Sequence, residues 1–376
     1  MTNITQNDIT TALQDQVKQA ISSNTPLSIQ AGNSKRFYGH SIDENTNAKP
    51  LDLSSHTGII NYDPTELCAT VQAGTKLSEL EALLAQNNQI LAFEPPHYPS
   101  GTNNQDTATI GGAIATGIAG PRRAYTGSVR DAILGVKMIN GTGEIANFGG
   151  EVMKNVAGYD LSRMMVRSQG TLGVILSVSV RVIPQPEQNM TLAFDASQTE
   201  ALSYFQELRK TNLPITATAW LNDQGLIRVS ASEQVLKSCK SKIKGDEITN
   251  GGDFWQGLRD HTHEFFNKNR PLWRFSLPPA SSSVIPLDDA QLLEWDGAQR
   301  WVHSNTPANI IQDIAKPHNG YATLFNSNSR IETHNNLSNM DIFPALEPAL
   351  LTLHQSLKSQ MDPQGIFNPN RIYRGL

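Results

Sequence analysis

Two short runs have the composition of a site that holds phosphate. The longer is Thr107–Gly120, where nearly every side chain is Ala, Thr or Ile and where Gly111, Gly112, Gly117 and Gly120 leave backbone bare. Bare backbone lets a ligand come close, and its N–H groups can point at anionic oxygens. Ile110, Ile114 and Ile118 recur every four residues, which predicts a short helix beginning near Thr109 with its first N–H groups facing a ligand in the preceding loop. Core packing produces the same pattern, so this run alone decides nothing. The second run, Ala31-Gly32-Asn33-Ser34-Lys35, follows a strand, LSIQ, and offers N–H groups, two polar side chains and a cation; a plain surface turn has that composition too. Elsewhere a Gly-flanked turn, Gln169-Gly170-Thr171-Leu172-Gly173, feeds a long β-branched strand ending at Pro184. No G-x-G-x-x-G follows the first strand, so a Rossmann fold is unsupported.

Several elements must position these runs. Residues 5–22 read as an amphipathic helix with Ile9, Leu13, Val17 and Ala20 on one face, and residues 58–62 and 67–72 as a hairpin. Thr75 is the expected cap of a helix, KLSELEALLAQNN, and residues 132–139 and 144–148 form a second hairpin. Pro184 and Pro186 break the chain and mark the expected domain boundary. Residues 190–249 then show strand, helix, strand, strand, helix, strand, the ferredoxin-like order. A helix over 253–266, a strand PLWRFSLPP, the segment LLEWDGAQRWVHS, a helix near 306–315 and the segment YATLFN follow; residues 330–341 read as a mobile loop, and a helix over about 345–360 precedes the tail DPQGIFNPNRIYRGL.

Length and composition narrow the function. The 376 residues exceed one compact core, and a net charge of −5 gives no reason to expect a nucleic-acid partner. No apolar run is long enough to span a bilayer, the N-terminus lacks the apolar core of a signal peptide, and the expected location is the cytoplasm. Cys68 and Cys239 are expected to be free thiols; two cysteines are too few for an iron–sulfur cluster, which needs about four ligands.

Four pieces together are more specific: AGNSKRFYG at 31–39, TIGG with GIAGPRR at 109–123, GGEVMKNVAGYDLSR at 149–163, and GTLGVILSVSVRV at 170–182, with DPQGIFNPNR at 362–371. With them the chain resembles the vanillyl-alcohol oxidase or PCMH-type FAD-binding flavoproteins, and within that family the FAD-binding subunits of bacterial glycolate oxidases. The resemblance implies an α+β fold: a two-subdomain PCMH-type FAD-binding domain over 1–184, a ferredoxin-like α+β cap or substrate domain over 185–342, and a C-terminal helix and tail over 343–376 that pack back on the first domain. It places FAD against Gly32, Asn33, Ser34 and Lys35, against Ser100, Gly101 and Thr102, against Thr109, Ile110, Gly111 and Gly112, beside Asn155, and against Thr171, Leu172, Gly173 and Val174. The first turn holds no histidine, so FAD is expected to be non-covalent.

The implied chemistry is oxidation of a small 2-hydroxy acid such as glycolate. That needs a cation for the carboxylate, a base for the hydroxyl proton and a flavin as acceptor. Lys154, Tyr159 and Arg123 are the candidate catalytic residues. Arg122, Arg163 and Arg274 are further cations, and Tyr125, His97 and His303 further proton acceptors. No metal site is expected: the histidine-rich motif of the larger hydroxy-acid dehydrogenases is missing, and His261 and His263, two apart, are poor co-ligands. The implied partners are a larger FAD-linked oxidase subunit and an iron–sulfur subunit of a glycolate oxidase complex, which could bring the chain to the inner face of the membrane. The Trp-containing segment 295–301 is the candidate docking surface. Two alternatives stay open: a non-catalytic FAD-binding or structural subunit supporting a larger paralogue, and a stand-alone hydroxy-acid dehydrogenase.

Overall fold

The computed structural model describes residues 6–41, 47–98, 106–150, 160–279, 281, 285–287, 289–325 and 342–376. The chain forms two compact units. Unit 1 comprises Met1–Ile118, Ser128–Gln185 and Ala345–Leu376, and unit 2 comprises Ala119–Gly127 and Pro186–Pro344.

Unit 1 has a small and a large layer. In the small one, α1 (Thr10–Ser22) buries Leu13, Val17 and Ala20, and β1 (Leu27–Gln30) pairs in parallel with β2 (Lys49–Asp52). In the large one, β3 (Ile59–Asp63) turns into β4 (Cys68–Gln72) where the Asp63 carboxylate accepts from the N–H groups of Thr65 and Glu66. Next come α2 (Leu77–Ala85), β5 (Gln89–Leu91) and α3 (Ile110–Thr116). After α4 (Arg123–Thr126), which packs with unit 2, the chain adds α5 (Val129–Ala132), β6 (Ile133–Ile139), β7 (Ile145–Gly149) and β8 (Val174–Pro184). The order is β3-β4-β8-β6-β7, with β5 also on β8. The β-branched run 174–182 takes the centre because both its faces are covered and only Arg181 is part-exposed. Thr75 does not cap α2. Lys76 holds that position without a side-chain bond, while Thr75 Oγ1 accepts from Gly58 N at 2.9 Å.

Unit 2 begins with β9 (Gln188–Asp195), α6 (Gln198–Leu208), β10 (Ile215–Leu221), β11 (Gln224–Ala231), α7 (Glu233–Lys240) and β12 (Asp246–Glu247). These strands lie antiparallel in the order β12-β9-β11-β10, the ferredoxin-like arrangement. After α8 (Gly251–Asp260), strands β13 (Leu272–Ser276), β14 (Gln291–Glu294), β15 (Gln299–His303) and, beyond α9 (Ala308–Ala315), β16 (Tyr321–Leu324) extend the sheet to eight. One face carries the apolar core: Trp220, Ile227 and Leu293 under α6 and α7, then Trp273, Phe275 and Val302 against Ile311 of α9. The helix predicted over 253–266 stops at Asp260, because His261 turns left-handed (φ 54°) and a 3₁₀ turn follows. The predicted loop at 330–341 lies outside the described residues. Segment 295–301 is not a docking surface: Trp295 is 9% and Trp301 2% exposed, and the Trp301 indole donates to Glu294 at 2.6 Å.

The chain closes with α10 (Pro348–Met361) and the tail, both in unit 1. Leu27 N donates to Ile366 O at 2.7 Å and Asn368 N to Leu27 O at 3.0 Å, so the tail runs beside β1 and buries Ile366 and Phe367. Lys358 Nζ, at the foot of α10, donates to Asp362 Oδ2 (2.6 Å), Thr171 O (2.7 Å) and Phe367 O (3.0 Å). Burial pulls the Lys358 pKa down from its ordinary value, with the Asp362 carboxylate opposing.

Candidate functional site

A cleft of about 140 Å³ opens in unit 1 where the first turn, α3 and the entry to β8 meet. Its walls include Gly32, Asn33, Ser34 and Lys35, then Thr109, Gly111, Gly112 and Thr116, then Gln169, Gly170 and Gly173, and finally Asn368 and Arg371 from the tail. Among the described residues, the lining contains Lys35, Arg36 and Arg371 but no aspartate or glutamate. That charge balance suits an anionic ligand.

The first turn supplies free donors. Asn33 is left-handed (φ 55°), and among the described residues no acceptor takes the N–H groups of Gly32, Asn33 or Ser34. Successive N–H groups in such a turn form an anion-binding concavity. Arg371 holds the following segment. Its guanidinium donates to the carbonyls of Arg36 (2.6 Å), Tyr38 (2.9 Å) and His40. Burial first, and the Arg36 charge second, lower its pKa to about 10, which leaves it protonated at neutral pH.

The α3 segment works differently from the expectation of free donors. Ile110 N is taken by Thr75 O (3.0 Å), Gly111 N by Ala73 O (2.9 Å), and Gly112 N by the Thr109 cap (3.2 Å). What α3 offers is space. A Cβ on Gly112 would meet only Thr109 Oγ1, at 3.1 Å, so that flank of the helix is bare toward the cleft. Gly111 has another reason to be glycine, since its Cβ would lie 2.7 Å from Ala73 Cβ. Gly32 likewise yields to protein, with Thr107 O against it.

The third wall is tied to the first by one residue. Asn368 donates to Gln169 O (2.7 Å) and accepts from Ile29 N (2.8 Å), joining β1 to the turn before β8. Gln169 Oε1 is buried with no hydrogen-bond partner among the described residues. A buried acceptor left without a donor is costly, and a ligand N–H or O–H would satisfy it.

The structure thus brings Gly32, Asn33, Ser34, Lys35, Thr109, Gly111, Gly112 and Gly173 to one cleft. Ile110 and Val174 are instead fully buried core residues. Thr171 hydrogen-bonds Ser168 O, and Leu172 is buried beside it. Ser100, Gly101, Thr102, Lys154, Asn155 and Tyr159 lie outside the described residues. Sequence reasoning missed Gln169, Asn368 and Arg371 as wall residues; the only signal was a polar N-P-N-R run in a tail otherwise read as apolar anchor.

The remaining candidates have structural surroundings. Arg123 lies 4.4 Å over the Trp295 ring within unit 2, and the half-exposed Arg163 pairs with Asp160 at 3.0 Å. Arg122 is buried. Tyr125 donates to Asp296 at 2.6 Å, and burial and that carboxylate push its pKa up, which makes it a poor proton acceptor at neutral pH. His97 sits between Glu81 and Asp106, at 2.9 and 3.1 Å. Arg274, His261 and His303 cluster in unit 2 among Phe266, Trp301 and Phe325, with His261 stacked on Phe266 at 3.8 Å. Burial depresses both histidine pKa values, most strongly for His261. Among the described residues, no three His, Cys, Asp or Glu side chains converge as metal ligands.

Residues 8–149 match the FAD binding domain family. Over 98% of its length the chain is 42% identical to the glycolate oxidase subunit GlcE of Escherichia coli (strain K12), of which it covers 99%. The chain belongs to the GlcE family. It is also 36% identical over 134 residues to the glycolate oxidase subunit GlcD of Bacillus subtilis (strain 168), covering 27% of that protein. p-Cresol methylhydroxylase with bound substrate superposes with a TM-score of 0.68 at 14% identity, over 98% of this chain and 88% of that one. That likeness concerns the fold: a PCMH-type FAD-binding domain followed by an α+β second unit. The cleft fits the cofactor of the family, with donors and cations for a pyrophosphate, a bare helix flank and an unpaired buried acceptor.

Proposed function

We propose that this GlcE-family chain is the FAD-binding subunit of a glycolate oxidase complex, an oxidoreductase acting on the CH–OH group of a small 2-hydroxy acid. The end-to-end similarity to GlcE carries the reading. Bound FAD supplies a two-electron acceptor. The chain's own residues bind and orient it. The turn Gly32–Lys35 takes the pyrophosphate with N–H groups and a cation, the bare flank of Gly112 admits it, and Asn368 and Arg371 hold those walls in register. The turn Gly32–Lys35 holds no histidine to bond the flavin, and the attachment in this reading is non-covalent.

The sequence lacks the histidine-rich motif of the larger hydroxy-acid dehydrogenases, which favours one of the alternatives for catalysis: chemistry on substrate in a larger FAD-linked partner, with electrons leaving through an iron–sulfur subunit, since two cysteines are too few for a cluster here. Purified alone, the protein should carry flavin that acid precipitation releases into the supernatant. It should reduce an artificial dye with glycolate only when co-purified with the larger and iron–sulfur subunits. Colourless protein that ignores added FAD would overturn the cofactor role. Turnover of the isolated chain on the order of 10 per second would make it a self-sufficient dehydrogenase.

A further inference from the structure

Within unit 1, His97 stands between two carboxylates from different parts of the chain. Its Nδ1 lies 3.1 Å from Asp106 Oδ2, and Glu81 Oε2 of α2 stands 2.9 Å from its Nε2, an ion-pair contact not aligned as a hydrogen bond. A neutral imidazole carries one N–H, so it turns a lone pair toward one of the two carboxylates; only the imidazolium has a proton on both nitrogens. Negative charge on both sides favours that form. The side chain is 13% exposed, enough to exchange protons with water while the pairs stay partly shielded.

Both arms of this contact lead to the cofactor cleft. Asp106 Oδ1 accepts from Ala108 N (3.2 Å), and Ser78 of α2 bonds the same carboxylate. Thr107 Oγ1 donates to Gly32 O at 2.5 Å, and Ala108 O accepts from Leu77 N at 2.8 Å. The placement of residues 106–108 thus sets the placement of the first turn. On the other arm, Tyr98 is buried, meets Phe37 edge-on at 5.5 Å and carries Lys35 Nζ 5.6 Å from its ring centre. Gly32 and Lys35 both line the cleft. The charges around the ring are Glu81 from α2 and Asp106 from the segment before α3, with Lys35 of the first turn beyond Tyr98. Burial by itself would raise the Asp106 pKa, but His97, Ala108 N–H and Ser78 together hold it below its ordinary value, so this carboxylate is charged at neutral pH.

Resting on the cofactor reading above, we propose that His97 is a positioning residue for FAD: charged, it clasps Glu81 and Asp106 and holds the Gly32–Lys35 turn in its binding geometry, and neutral, it lets one carboxylate go and the turn with it. FAD affinity is then highest where the ring is protonated. It falls as pH rises through the titration of the ring, by at most about ten-fold per pH unit for one proton. By the same linkage, FAD binding takes up a fraction of a proton in that range.

The test is fluorescence titration of the full-length apoprotein with FAD between about pH 6 and about 8.5, where a histidine changes charge. It compares wild type, His97→Gln and Glu81→Gln, with circular dichroism to check the fold of each. The wild-type dissociation constant should rise at least about five-fold across the range. His97→Gln, with no proton to lose, should bind at the acid end about as weakly as wild type does at the alkaline end, without a slope. Glu81→Gln keeps the ring but removes one carboxylate, so its affinity should begin to fall at lower pH; it carries the test alone if His97→Gln does not fold. Wild type that binds no FAD at any pH overturns the cofactor reading and this inference with it. Wild-type affinity that ignores pH overturns the inference alone. So does a slope that survives in His97→Gln, or a Glu81→Gln midpoint that stays at the wild-type value.

Discussion

At the scale of single residues, the two adjacent glycines of α3 separate cofactor binding from packing. Gly112→Val places its side chain in open cleft space, so FAD content should fall by at least ten-fold while the apoprotein melts within a few degrees of wild type. Gly111→Val drives a side chain into Ala73, and the expected outcome is a loss of about 1–3 kcal/mol or more in urea unfolding, from overpacking. Normal flavin in the first variant would mean that this flank is not a ligand surface. The buried histidines of unit 2 set a pH dependence. His261 and His303 are held neutral, with pKa values below the usual 6.5, by burial, by Arg274 and each other at His261, and by Lys268 at His303. As pH falls below about 6.5, the unfolded chain takes up these protons and the folded chain does not. Stability therefore falls toward acid, by at most about 1.4 kcal/mol per pH unit for each ring. Melting curves between pH 7.5 and 5.5 should show the decline, and His261→Phe should flatten it.

At the scale of elements, the end of α10 and the tail form a joint built on a buried ion pair. Asp362 is fully buried and accepts from Lys358, Ile366 N (3.1 Å) and Phe367 N (2.8 Å). Asp362→Ala leaves the Lys358 ammonium buried without its counter-charge, and breaking such a pair costs about 3–5 kcal/mol. The tail should then release, exposing Phe367, and limited proteolysis should clip it faster than in wild type. Since Asn368 on that tail links β1 to Gln169, FAD affinity should fall as well. In unit 2 the joint is Asp296, left-handed (φ 56°) and fully buried, which takes Tyr125 O–H, Thr218 O–H (2.7 Å) and Arg209 (2.8 Å). It secures segment 119–127 to the strands of that unit.

At the scale of the whole molecule, two cores imply two responses. Ligand that binds only the folded form stabilises by mass action, by about 2.7 kcal/mol at a hundred-fold excess over its dissociation constant. Calorimetry should resolve two transitions. Added FAD should raise the one belonging to unit 1, and mild acid should lower the one belonging to unit 2. A single transition shifted by both would show that the cores unfold as one cooperative body.

The sequence by itself determined much of this protein, because several of its signals are local. The small residues of 107–120, the turn at 32–35 and the β-α-β-β-α-β order of 190–249 each follow from neighbours within a few positions, and each stands in the fold. The family could be read from those runs together. Only the tertiary structure decided which polar groups are available. Gly111 N is spent on Ala73 O, a partner no periodicity predicts, while Gln169 Oε1 has none among the described residues. Asn368 reaches Ile29 across 339 positions, and segment 119–127 packs with unit 2 although both its flanks belong to unit 1. A helical period says which side chains share a face, but whether that face is covered depends on chain that folds back from far away.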